Sequence, residues 1–124
     1  MMARGRKLTI TLLALGIAGC GPTPPQAPLS QAKLLDRALS GISTACGETY
    51  QLTAFPGAPR SELITLEVTA ASNAHGLASV YARNPDWIYQ SETVRALVHD
   101  SIATLSACGL HAAAATLAHE TAGH

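Results

Sequence analysis

The sequence predicts an all-α domain, a small up-down bundle of three helices closed by one disulfide, with residues 110–120 either extending the third helix or forming a short fourth. Three observations lead there. Apolar residues between Leu29 and Glu120 recur at steps of three and four, the helical period, over three long stretches. The stretches are broken at Pro56-Gly57-Ala58-Pro59 and at Asn84-Pro85-Asp86, where a helix cannot continue. Cys46 and Cys108 fall at similar depth in the first and third stretches.

In the first stretch, Leu35, Leu39, Ile42, Cys46, Thr49 and Thr53 mark one face, flanked by Leu34, Ala38, Ala45 and Leu52. Ser30 is placed to cap its start, with Leu29 and Leu34 at the two hydrophobic-staple positions. The helix should end by Phe55. The second stretch, Arg60 to Arg83, places Leu63, Leu66, Ala70, Asn73 or Ala74, Leu77 and Val80 on one face. Glu62 lies in its first turn, where the helix dipole favours an acid.

Ile64-Thr65-Leu66-Glu67-Val68-Thr69 also alternates like a strand, and Tyr50 to Ala54 does so more weakly. An α+β arrangement with a hairpin around residues 50–69 is therefore the competing fold. The helical spacing runs on through Ala70 and Leu77, past the reach of a strand, and favours the helix. The third helix should begin near Ser91, with Glu92 in its first turn. Its face is Val94, Val98, Ser101, Leu105 and Cys108, beside Leu97 and Ile102. Gly109 ends or bends it. Leu110 to Glu120 is alanine-rich with high helix propensity, and residues 121–124 should fray.

The N-terminus has a different character. Met1 to Lys7 carry Arg4, Arg6 and Lys7 with no acid, and Leu8 to Ala18 are apolar apart from Thr9 and Thr11. This is the layout of a secretory signal. The apolar run is shorter than the roughly 20 residues needed to span a bilayer. Ile17-Ala18-Gly19-Cys20 resembles the lipobox of bacterial lipoproteins. The resemblance covers only the first twenty residues. It implies that residues 1–19 are removed as a signal peptide and that the Cys20 thiol carries fatty acyl chains. The chain would then be held in the cell envelope, anchored to the membrane on its extracytoplasmic side. Gly21, in place of an aspartate, implies the outer membrane in a host that has one. Pro22, Pro24, Pro25 and Pro28 follow, so residues 20–29 read as a stiff tether of about 3.1 Å per residue, about 25 Å over eight residues.

After that cleavage the chain keeps five basic residues, Lys33, Arg37, Arg60, Arg83 and Arg95, against eight acidic ones. There is no basic patch, which argues against a nucleic-acid partner, since that affinity rests on phosphate neutralisation. Cys46 and Cys108 are the cysteines left after Cys20, and in an oxidising compartment such a pair reads as a disulfide. An up-down-up bundle makes helices one and three parallel. The two cysteines then lie about 16 and about 17 residues from their helix starts, nearly level at 1.5 Å per residue.

Little else in the chain points to chemistry. His119-Glu120-Thr121-Ala122-Gly123-His124 superficially matches a zinc-protease HExxH, but its histidines are five apart where that motif needs i and i+4 on one face. His75, His99 and His111 are scattered. No metal site or cofactor is expected, and no activated-nucleophile turn such as Gly-x-Ser-x-Gly occurs. Trp87, the sole tryptophan, and Tyr89 sit in the Asn84–Gln90 loop. They are either a plug for the open end of the bundle or an interaction loop. The sequence thus suggests a non-catalytic structural or protein-interaction module with an envelope protein as partner. The rival is a carrier or sensor that uses an interhelical cavity or the C-terminal histidines.

Overall fold

The computed structural model describes residues 25–123. The leader and lipobox, Cys20 and residues 21–24 lie outside the described residues, as does His124. Along the described chain run α1 (Leu29–Thr53), α2 (Arg60–Arg83), β1 (Ile88–Tyr89), β2 (Glu92–Thr93), α3 (Val94–Ala107) and α4 (His111–Thr121). The fold is all-α, and residues 110–120 contribute a separate fourth helix.

Proline sterics set the turn between the first two helices. α1 stops at Thr53, three residues before Pro56, and α2 starts immediately after Pro59, whose fixed φ suits the residue before a first turn. The hairpin around 50–69 does not form, because residues 60–69 are continuous helix. The threonines that gave the strand-like alternation fit a helix by bonding backward. Thr65 Oγ1 donates to the Ser61 carbonyl at 2.9 Å, and buried Thr49 does the same to Ala45 at 2.8 Å.

The break between α3 and α4 is also local. Gly109 adopts φ +93°, a left-handed conformation that glycine takes without a Cβ penalty. The Leu110 N–H reaches back to the Leu105 carbonyl at 2.9 Å, and the Gly109 N–H to Ser106 at 3.2 Å. This is a Schellman ending, completed by burial of both Leu105 and Leu110.

Two helix starts differ from the sequence expectation. α1 begins at Leu29 after Pro28, with no side-chain cap. Ser30 is not a cap, and Leu29 (72% exposed) and Leu34 (40%) form no staple. The chain before Pro28 is held extended by β1, so the helix starts where that pairing ends. α3 begins at Val94, not near Ser91. Thr93 caps it by accepting from the Ala96 N–H at 3.0 Å, and Glu92 belongs to β2.

α2 is the central helix, packed along α1 on one side and α4 on the other, while α1 meets α3 only sparsely. The α1–α2 seam is lined by small residues, Ala38 and Ala45 facing Ala70, Ala74 and Ala78. At Gly41 the Asn73 side chain occupies the place a Cβ would take, so any larger residue at 41 would have to displace it. Leu35, Leu77, Val80, Val94, Leu105, Leu110 and Leu117 fill the centre.

Candidate interaction surfaces

The bundle has two unlike ends. At the base lie the start of α1, the end of α2 and the 84–93 loop; at the tip lies the turn between α1 and α2. α1 and α3 run parallel, as contacts in order along both show. Tyr89, just before α3, meets Asp36; Cys46 meets Cys108; Tyr50 Oη donates to the Ala107 carbonyl at 3.4 Å. Cys46 and Cys108 are bridged, with Cα atoms 5.5 Å apart. The bridge therefore ties α1 to the end of α3, helices that otherwise pack only sparsely.

At the base, β1 and β2 form a two-residue hairpin, Ile88 opposite Thr93 and Tyr89 opposite Glu92. Its turn residues, Gln90 (φ 50°) and Ser91 (φ 74°), both sit in the left-handed region, as this tight turn requires. The incoming chain adds a third strand. Ile88 N–H donates to the Pro25 carbonyl, and Ala27 N–H to the Ile88 carbonyl, each at 2.9 Å. Gln26 thus pairs in parallel with Ile88. The domain grips the chain from Pro25 onward, inside the stretch at 20–29 read from the sequence as tether. Two-residue strands have no readable period, so nothing in the sequence marked this clamp.

The base is further pinned by side chains. Val94 N–H donates to the Trp87 carbonyl at 2.9 Å, and Arg95 N–H to the Pro85 carbonyl at 2.8 Å. The Arg95 guanidinium reaches Asp86 at 3.1 Å and the Tyr81 hydroxyl at 3.3 Å. Trp87 and Tyr89 are half-buried and pack against the core. The Tyr89 hydroxyl donates to Asp36 Oδ1 at 3.3 Å. Desolvation, the neighbouring Asp36 charge and that hydrogen bond together raise the phenol above its ordinary value of 10.0.

The tip has an apolar groove of its own. An open groove of about 550 Å³ lies there between Leu52, Phe55, Pro56 and Pro59, with Glu48 and Glu62 at its sides. Phe55, the only phenylalanine, is 72% exposed, and Tyr50, Ile64 and Val68 are also exposed. The signal in the sequence was an apolar Leu52 and Phe55 running into the Pro-Gly-Ala-Pro turn, beyond the reach of the shorter third and fourth helices.

Among the described residues the histidines form no cluster. His75 Nδ1 lies 2.7 Å from Glu120 Oε1, so the glutamate of the HETAGH segment links α4 to α2. His99, His111 and His119 are exposed. Among the described residues no group of three or more His, Cys, Asp or Glu side chains could hold a metal ion. None of the described helices is long and apolar enough to cross a membrane. Comparison of the chain with known protein families, characterised proteins and solved structures gave no match.

Proposed function

We propose that this chain is an exported lipoprotein of the bacterial cell envelope, anchored through Cys20, and that it works as a non-catalytic interaction module. The supporting observation is the exposure of Phe55 at the tip groove, at the opposite end from the chain entry at Pro25. Phe55 and the groove beside it are open to solvent, and an exposed apolar surface of this kind marks a contact site. The partner is an envelope protein that presents apolar side chains to Phe55, with cationic groups facing Glu48 and Glu62.

Capture from detergent-solubilised envelope membranes tests this, with the intact lipidated protein as bait. Phe55→Ser should lose a partner that the wild type retains, while Trp87→Ala keeps it. Identical capture by wild type and Phe55→Ser would refute a tip-mediated interaction.

A second reading is carriage of a small ligand in the tip groove, whose volume lies within the range of about 300–1,000 Å³ usual for ligand sites. Its opening to solvent favours the protein partner. A thermal shift of the purified domain with a small apolar cation, lost in Glu48→Gln/Glu62→Gln, would reverse that preference.

A further inference from the structure

We infer that the base of the bundle, with the Trp87–Ser91 loop, faces the lipid leaflet, so that the tip points away from it. The inference rests on the proposed acylation of Cys20. Its own ground is the clamp at Pro25–Ala27.

Only residues 21–24 separate Cys20 from Pro25. Five Cα–Cα steps, even fully extended, span at most about 17 Å. Had the chain been free until α1, the domain could have tumbled about a longer leash. Instead the two backbone hydrogen bonds between Ile88 and the 25–27 segment fix the point where the chain enters the domain. That point is the middle strand of the base ribbon, one residue from Trp87 and two from Gln90. The lipid is therefore held close to the base. α1, at 25 residues, is about 37 Å long, more than twice the reach of the tether, so an upright bundle carries its tip well clear of the membrane.

The chemistry of the two ends agrees with this placement. Lys33, Arg37, Arg83 and Arg95 lie in the base half, and Arg60 is the basic residue at the tip. Asp36, Asp86, Glu92, Asp100 and Glu120 share that half, where Arg95 is paired with Asp86 and Glu120 with His75. The base half thus sets four basic groups, which can meet lipid phosphates, against five acids, while the tip half sets Arg60 alone against Glu48, Glu62 and Glu67. An anionic surface would repel the tip more than the base. Leu29, largely exposed at the base, and half-buried Trp87 supply an apolar and an amphipathic contact of the kind found at membrane interfaces.

Trp87 is the only tryptophan, so intrinsic fluorescence reports on the base without a label. The full-length lipidated protein is reconstituted into phosphatidylcholine–phosphatidylglycerol vesicles with or without brominated acyl chains. Mass spectrometry of the N-terminal peptide and co-sedimentation are read on the same sample. Trp87 emission should be strongly quenched in brominated vesicles. A tip reporter, Trp87→Phe/Phe55→Trp, should keep its emission. Co-sedimentation without quenching of Trp87 overturns the orientation and leaves the anchor standing. Equal quenching of both reporters means that the bundle lies flat, and also overturns it. An unmodified Cys20 with no co-sedimentation removes the anchor and the orientation together.

Discussion

Replacing Cys46 and Cys108 by serine removes the bridge that closes a 62-residue separation. The chain-entropy relation gives roughly 4 kcal/mol for a loop of that length. The local chemistry changes that figure little. Cys46 and Cys108 are 6% and 7% exposed, so a serine hydroxyl at either place needs an acceptor. The Thr104 carbonyl lies 3.7 Å from the Cys46 sulfur, and the Leu105 carbonyl 3.4 Å from the Cys108 sulfur. Both are close enough to satisfy a hydroxyl after a small adjustment, which offsets the desolvation of burying it. Loop entropy therefore dominates, and it is a large share of the 5–15 kcal/mol a domain of this size has. At about 4–8 °C per kcal/mol, the midpoint should fall by roughly 15–30 °C. Far-ultraviolet circular dichroism melts of wild type and the double variant measure the shift. The structure predicts where the loss concentrates. α1 and α3 touch sparsely apart from the bridge, whereas α2 packs along α1 and α4. Amides of α3 should lose more hydrogen-exchange protection than those of α2. Coincident melts would refute the magnitude, given thiol titration proving the wild type oxidised. Equal loss in α2 and α3 would refute the view that the bridge is the main tie of α3 to α1.

Three other outcomes are expected. Ser91→Gly should raise the melting midpoint. The left-handed backbone at φ 74° strains a side-chain-bearing residue by about 1–2 kcal/mol, and glycine's greater freedom in the unfolded chain returns about half of that; thermal melts read the balance. Tyr89→Phe should flatten the loss of stability in alkali. The folded phenol holds its proton above the ordinary 10.0, so its contribution is complete below that pH and declines as pH rises from there toward the folded value; urea titrations between neutral and strongly alkaline pH compare the two slopes. Cys20→Ser should abolish acylation and leave uncut or released protein, which mass spectrometry of the N-terminus determines.

The helices of this protein were legible in its sequence because their causes are local. The three- and four-residue recurrence from Leu35 to Thr49 and from Leu66 to Val80 encodes a face. Pro56, Pro59 and Gly109 encode the stops through backbone sterics. The Cys46–Cys108 pairing followed once those lengths and an up-down topology put both residues at one height. The strand-like run from Ile64 to Thr69 did not outweigh the helical spacing, since threonine hydroxyls can bond within a helix, as Thr65 does. Tertiary structure decided the rest. Pairing of Pro25–Ala27 with Ile88 uses main-chain groups that every residue except proline carries in full, so no side-chain pattern announces it. That pairing moved the start of α1 and left Ser30, Leu29 and Leu34 without their expected roles. The ribbon at 88–93 likewise moved the start of α3 from near Ser91 to Val94, with Thr93 as its cap. Whether Trp87 was a plug, and whether Phe55 would be covered, depended on which helices extend far enough to reach them. Those contacts are made between residues far apart in the chain, where spacing along the sequence carries no information about distance in space.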